Sequence, residues 1–162
     1  MHIRPARRSD DLELARIDRA AFGGVDNVVP VSDASSPFFT DSTGPEDVLV
    51  AELDGDVAGY VKIRPPTSLV SNAHVLQIQG LAVDPAAHRR GVGRALIEGT
   101  IAEARRRGAR KLSLRVLASN PNARRLYAAC GFEVEGVLRN EFGIDGRYVD
   151  DTLMARMLTA EG

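Results

Sequence analysis

The stretch that most limits how this chain can fold is residues 76–104. Leu76, Ile78, Leu81 and Val83 form a short apolar run closed by the turn pair Asp84-Pro85, which predicts a strand ending at a stop signal. His88, Arg89, Arg90, Gly91, Val92, Gly93 and Arg94 follow. Leu96, Ile97, Thr100, Ile101 and Ala104 then recur on one face of a helix that runs to about Gly108. The first backbone N–H groups of a helix have no partner inside it, and the macrodipole adds positive charge there. Gly91 and Gly93 carry no Cβ, so an anion can reach the backbone, and Arg89, Arg90 and Arg94 add full charges. The turn suits a pyrophosphate. Taken alone it also fits a tight turn whose glycines serve only the backbone. Position 96 is Leu rather than the third glycine of a dinucleotide fingerprint, and no Gly-Lys-Ser/Thr triplet closes a Walker loop.

Composition excludes several classes. At 162 residues the chain suits one domain, 1–162, with a real core. A net charge of −1 gives no global basic field for nucleic acid. The lone Cys130 rules out an internal disulfide and a cysteine-based zinc site, and three scattered histidines make a poor metal set. No apolar leader and no membrane-length run is present, so a cytoplasmic protein without a membrane partner is expected.

Elsewhere the elements alternate. Residues 2–6 read as a strand, with Ser9 or Asp10 to cap a helix striped by Leu12, Ala15, Ile17, Ala20, Ala21 and Phe22 and stopped at Gly23-Gly24. Residues 23–45, with three prolines and the pair Phe38-Phe39, read as a long loop anchored by its aromatics. Residues 48–53 and 57–63 flank Asp54-Gly55-Asp56 as a hairpin. Residues 64–73 hold Pro65-Pro66 and read as a second loop. Strands are expected at 111–116, 133–138 and 148–157, the last two around the turn Asp145-Gly146, and a helix at 120–130 with Gly131 at its C-cap position. The order β, α, loop, ββ, β, α, β, α, ββ fits an α/β (α+β) fold: a mixed sheet with helices on both faces, residues 76–116 forming a parallel crossover.

A second constellation spans residues 120–132. Asn120 is a natural N-cap, Ala123 and Leu126 are expected to face the sheet, and Tyr127 follows Asn120 by about two helical turns. Read from the residues alone, Tyr127 is a packing tyrosine with its hydroxyl at the rim. Cys130 lies beside a helix end rather than in an electropositive N-terminal site, which favours burial over a nucleophile's role.

Together the two stretches resemble the GNAT superfamily of N-acetyltransferases. The turn is similar to its acyl-CoA motif, Gln/Arg-x-x-Gly-x-Gly/Ala: Gly91 and Gly93 match, and His88 stands where Gln or Arg is usual. The pattern N-x-x-A-x-x-L-Y-x-x-x-G-F at 120–132 is similar to the family's second block. The resemblance covers roughly residues 48–157. It implies a mostly antiparallel sheet splayed at the acyl-CoA site, with acetyl-CoA as co-substrate and no metal. It also implies roles. Residues 88–94 would hold the pyrophosphate. Leu81 and Val83 would offer backbone groups to the pantetheine, the Val83 N–H polarising the thioester carbonyl. Asn120 would bond the pantetheine amide region, and Tyr127 would stand near the sulfur as general acid.

Many members of that family carry a Glu early in the central strand as base. Here Gln77 and Gln79 share a face with Leu81 and Val83, and glutamine is no base. His74, Glu141 and Asp145 are the other candidates. An acceptor that arrives neutral needs less help: an α-amine has a pKa of about 7.7–8.0 against about 10.4 for a lysine side chain. The tail from Gly136 to Asp150 is similar to that of small bacterial family members, some of which acetylate amino acids or small amines. Arg139 or Arg147 could hold an acceptor carboxylate, or could be plain surface arginines of a hairpin. The expected acceptor is a small-molecule amine or amino acid. An N-terminal peptide acetyltransferase and a non-catalytic acyl-CoA-binding module are the alternatives, and a homodimer through an exposed sheet edge is allowed. Arg105, Arg106, Arg107, Arg110 and Lys111 read as a solvated helix end.

Overall fold

The computed structural model describes residues 1–22 and 35–158. Its strands are β1 (His2–Pro5), β2 (Val48–Leu53), β3 (Asp56–Arg64), β4 (Val75–Val83), β5 (Lys111–Leu117), β6 (Glu133–Ile144) and β7 (Arg147–Met157). Its helices are α1 (Asp11–Phe22), α2 (Val92–Arg106) and α3 (Pro121–Ala129). The strand order is β1-β2-β3-β4-β5-β7-β6. The pair β4–β5 is parallel, whereas β1–β2, β2–β3, β5–β7 and β6–β7 are antiparallel. The mixed, mostly antiparallel sheet expected from the sequence is present. The expected stop of α1 at Gly23-Gly24, and the part of the long loop at 23–34, lie outside the described residues. The chain divides into two compact units, residues 1–62 with 80–99 and residues 63–79 with 100–162.

In the first unit, the β2–β3 hairpin turns through Asp54 (φ 56°) and Gly55 (φ 87°), the left-handed pair whose twist matches that of the strands. Its core joins Leu14 and Ile17 of α1 to Phe39, Val48, Val50, Tyr60 and Ala82. Successive side chains of a strand point to opposite faces, so Gly59 looks away from that cluster. A Cβ at Gly59 would come within 3.1 Å of Val92 and 3.2 Å of Leu96 in α2. The helices α1 and α2 therefore cover opposite faces of β3, and the missing side chain is what lets α2 sit close. The expected aromatic anchors are seen: Phe39 is buried, and Phe38 meets Tyr60 edge-on with ring centroids 4.8 Å apart. The buried Arg4 joins β1 to its neighbours, donating to Asp10 at 2.8 and 2.9 Å and to Glu52 at 2.6 Å. Its guanidinium holds the Asp10 carboxyl below the usual range.

In the second unit, β4 pairs with β5 from Val75↔Lys111 to Ile78↔Leu114, and β5 continues against β7 along its whole length. One expectation changes here. The strand expected at 133–138 runs on to Ile144, because Arg139, Asn140 and Glu141 form a bulge opposite Asp150 and pairing resumes at Phe142↔Val149. Three polar residues interrupt the apolar alternation without breaking the strand. In α3 the buried residue is Tyr127, followed by the buried C-cap Cys130, and Ala123 and Leu126 are half-buried. The Tyr127 ring meets Phe132 edge-on at 5.9 Å.

Candidate active site

The start of α2 gathers main-chain donors and arginines. Asp84 closes β4; its carboxylate accepts the Ala86 N–H at 3.0 Å and pairs with Arg16 of α1 at 2.6 Å, which holds it below the usual carboxylate range. A short 3-10 turn, Pro85–Ala87, follows. Arg89 (φ 63°) and Gly91 (φ 78°) then take left-handed conformations, which swing the chain into the helix. Ala95 N–H donates to the Gly91 carbonyl at 3.1 Å, so Gly91 is the capping residue and has no side chain to cap with. The N–H groups of Val92, Gly93 and Arg94 make no bond to another described residue. Of the arginines, Arg90 pairs with Asp54 at 3.0 Å and Arg94 with Glu98 at 3.1 Å, and all four side chains are more than half exposed. Such pairs are weak, so both cations can turn to a ligand. His88 and Arg89 are exposed beside them.

The end of β4 supplies strand backbone. Asp84 N–H donates to the Ala58 carbonyl at 2.8 Å. The Val83–Asp84 peptide is trans, so across it the Val83 carbonyl points the opposite way, off the β3 side. In an extended residue the N–H and C=O share a side, and Val83 therefore presents a donor and an acceptor there. The register with β5 has already stopped at Ile78. Leu81 and Val83 are half-buried. Gln79 donates to Gln77 at 3.1 Å, confirming that the two share a face.

In the second unit Asn120 caps α3. Its Oδ1 accepts the Ala123 N–H at 3.2 Å, with Pro121 as the first helical residue, and its side-chain NH2 makes no bond to another described residue. Tyr127 is 8% exposed, and its hydroxyl has no hydrogen-bond partner among the described residues. Burial, with a smaller contribution from Cys130, pushes the Tyr127 phenol up to about 12. It is a neutral acid throughout the physiological range. Cys130 is buried, and its carbonyl accepts from Arg156 at 2.7 Å.

The remaining candidates are scattered. His74 is exposed, its carbonyl taking the Arg110 N–H at 2.8 Å. Arg139 and Glu141 are exposed in the β6 bulge, where Asp150 accepts the Asn140 N–H at 2.8 Å, and Asp145 and Arg147 are exposed at the hairpin turn. One pairing has no counterpart in the sequence reading: the Tyr60 hydroxyl donates a hydrogen bond to Asp18 of α1. The two lie 42 positions apart on different elements, and no local pattern could have joined them. Among the described residues no group of three His, Cys, Asp or Glu is arranged for a metal, and no helix is long and apolar enough to cross a membrane.

The strand β4 thus runs through a left-handed turn into a glycine-capped helix start. The family model described as "Acetyltransferase (GNAT) family" matches residues 13–132, and the chain belongs to that family. Among its relatives is the [ribosomal protein bS18]-alanine N-acetyltransferase of Escherichia coli K12, 41% identical over 75 residues, 46% of this chain and 51% of that protein. The chain thus matches about half the length of that relative. The L-amino acid N-acetyltransferase AaaT of the same organism is 36% identical over 115 residues, 67% of each chain. The structure of yncA, a putative acetyltransferase from Salmonella typhimurium with its cofactor acetyl-CoA, superposes with a TM-score of 0.81 at 24% identity, covering 100% of this chain and 96% of that one. At that identity it speaks for the fold.

Proposed function

We propose that this protein is an acetyl-CoA-dependent N-acetyltransferase that moves an acetyl group to the primary amine of a small molecule or amino acid by direct attack on the thioester. The uncapped α2 N-terminus behind Gly91 carries the reading. A helix start with three free N–H groups, two small residues and mobile arginines suits a diphosphate, and coenzyme A contains one.

The residues supply the chemistry as follows. Val92, Gly93 and Arg94 N–H groups bind the pyrophosphate, with Arg89, Arg90 and Arg94 around it and His88 at the rim. Leu81 and Val83 pair with the pantetheine through their backbones. The Val83 N–H stabilises negative charge as it grows on the thioester oxygen. Asn120 gives its free side-chain NH2 to a pantetheine carbonyl. Tyr127 donates its phenolic proton to the sulfur as the C–S bond breaks, and the proton that the acceptor nitrogen loses as the new amide forms returns through solvent to the phenolate, restoring Tyr127. Val83 and Tyr127 are thus the groups that act on the reacting atoms.

The absence of a carboxylate at Gln77 and Gln79 favours acceptors that are already partly neutral, so α-amines rank ahead of lysine side chains. AaaT, as an L-amino acid N-acetyltransferase by name, supports a free amino acid. The second reading, acetylation of a protein N-terminus, rests on the bS18-alanine N-acetyltransferase among the relatives. The test is mass-detected acetyl transfer from acetyl-CoA to free amino acids, peptides with free or blocked N-termini, and polyamines. Acetylated amino acids are the expected products. Acetylation confined to free peptide N-termini would move the acceptor to a protein. Acetyl-CoA binding with no product would leave a non-catalytic acyl-CoA-binding module.

A further inference from the structure

Most acidic side chains tied into the first unit answer to an arginine. Asp10 and Glu52 pair with Arg4, Glu13 and Asp84 with Arg16, Asp54 with Arg90 and Glu98 with Arg94. Asp18 does not. It is half-buried, and its partner among the described residues is a neutral phenol, the Tyr60 hydroxyl. Neither the adjacent Arg19 nor any other described cation pairs with it. The Asp18 carboxylate accepts that one hydrogen bond and has acceptor sites left over that no described cation takes up.

The space beside this pair is also defined. Gly80 of β4 points at Tyr60. A Cβ placed on Gly80 would stand 3.8 Å from Tyr60 Cε2, 4.0 Å from the Tyr60 hydroxyl oxygen and 3.8 Å from the Lys62 Cβ. The missing side chain leaves a notch floored by the phenol, one residue before the Leu81–Val83 backbone. Phe38 closes against the Tyr60 ring edge-on, which holds the phenol in place. Lys62 is engaged in an interaction of its own.

We infer that Asp18 and Tyr60 form the subsite for the acceptor's primary ammonium. Asp18 takes one N–H of the ammonium, the Tyr60 oxygen takes a second while its own O–H goes on donating to Asp18, and the acceptor's first carbons lie in the notch at Gly80; the ammonium gives one proton to solvent before the neutral amine attacks the thioester. Asp18 is the binding residue and Tyr60 positions it. This places a carboxylate for the acceptor on α1, where the central strand supplies only Gln77 and Gln79. The inference rests on the acetyl-transfer reading.

The test is steady-state acetyl transfer by Asp18→Asn, Asp18→Glu, Tyr60→Phe and Gly80→Ala, with acceptor KM and acetyl-CoA KM measured separately. Loss of a charge-assisted bond should raise the acceptor KM about ten- to hundredfold in Asp18→Asn, with acetyl-CoA KM within about twofold and partial recovery in Asp18→Glu. Gly80→Ala adds one methyl at ordinary contact distance and leaves the Asp18–Tyr60 bond untouched. It should raise the acceptor KM without lowering Tm, and it decides between the outcomes if the Asp18 variants fold poorly. An acceptor KM unchanged in both Asp18→Asn and Gly80→Ala, with Tm lowered in the former alone, would make the pair a tether of α1 to β3 and overturn the inference. If the unaltered protein binds acetyl-CoA and acetylates no amine, the acetyl-transfer reading falls and this subsite with it.

Discussion

At residues 88–94 the proposed binding groups are main-chain N–H groups of the buried Val92, the half-buried Gly93 and the exposed Arg94, with left-handed residues before them and arginines held only by exposed ion pairs. In α3 the proposed reactive group is one phenol, 8% exposed, packed against Phe132 and without a hydrogen-bond partner among the described residues. The first region tolerates almost any side chain that leaves the backbone path alone. The second depends on a single atom and on the burial around it. Binding of the nucleotide end should therefore be robust to side-chain loss and fragile to backbone change, with the reverse holding for turnover.

Tyr127→Phe tests the second half of that contrast and should have the largest effect. Removing a general acid costs about 100-fold or more in turnover. The ring, its burial and its contact with Phe132 all survive, so acetyl-CoA affinity and Tm should hold. Single-turnover transfer with product quantified by mass, beside acetyl-CoA titration, separates the two. Equal turnover in the variant would return Tyr127 to the role of a packing residue.

Stability at high pH offers a second test of the same residue. The Tyr127 phenol is raised to about 12 by burial, against about 10 when unfolded. A raised folded-state pKa means that the contribution is complete below pH 10 and is lost as pH climbs toward 12. About two units correspond to roughly 2–3 kcal/mol across that window. Denaturant midpoints between pH 9 and 11.5 should fall more steeply in the unaltered protein than in Tyr127→Phe. Parallel curves would mean that the phenol reaches solvent.

Gly91→Ala probes the other region. The cap has φ +78°, with no heavy atom within 4 Å of the added methyl, so the whole penalty is conformational. A non-glycine residue there costs about 1–2 kcal/mol, and relaxing it turns the helix-start N–H groups off target. Acetyl-CoA Kd should rise about tenfold, with turnover at saturation little changed. An affinity loss in Tyr127→Phe that exceeded the loss in Gly91→Ala would invert the comparison.

The two regions also differ in how plainly the sequence announces them. Gly91 and Gly93 between an apolar strand and an amphipathic helix signal a backbone site directly, because glycine at that spacing has a conformational reason. The Asp54-Gly55 and Asp145-Gly146 turns are legible on the same ground, each taking up the left-handed pair. Tyr127 gives no such signal, since one-dimensional spacing cannot tell a buried phenol that packs from one that reacts. The β6 bulge escapes notice because Arg139-Asn140-Glu141 looks like a loop when only alternation is counted. The Asp18–Tyr60 bond is out of reach altogether. It depends on α1 and β3 closing over one core, a tertiary fact that neither segment carries alone.

The smallest expected effect sharpens the contrast most. Arg90 reaches Asp54 across an exposed pair, with side chains 51% and 76% exposed. Arg90→Gln leaves the backbone path and the helix-start N–H groups in place, so acetyl-CoA Kd should rise only about two- to fourfold at low ionic strength. Near 1 M salt the Debye length shrinks to about 3 Å and the difference should vanish. Asp54→Asn frees the same guanidinium without removing it, and Asn accepts the left-handed φ of 56° at that turn. Affinity should hold or tighten slightly, with Tm unchanged. The two substitutions remove the same ion pair, so equal losses from both would mean that the pair shapes the turn. Loss from Arg90→Gln alone means that the arginine acts on the ligand as a point charge, and a salt-independent loss would make its contact geometric instead.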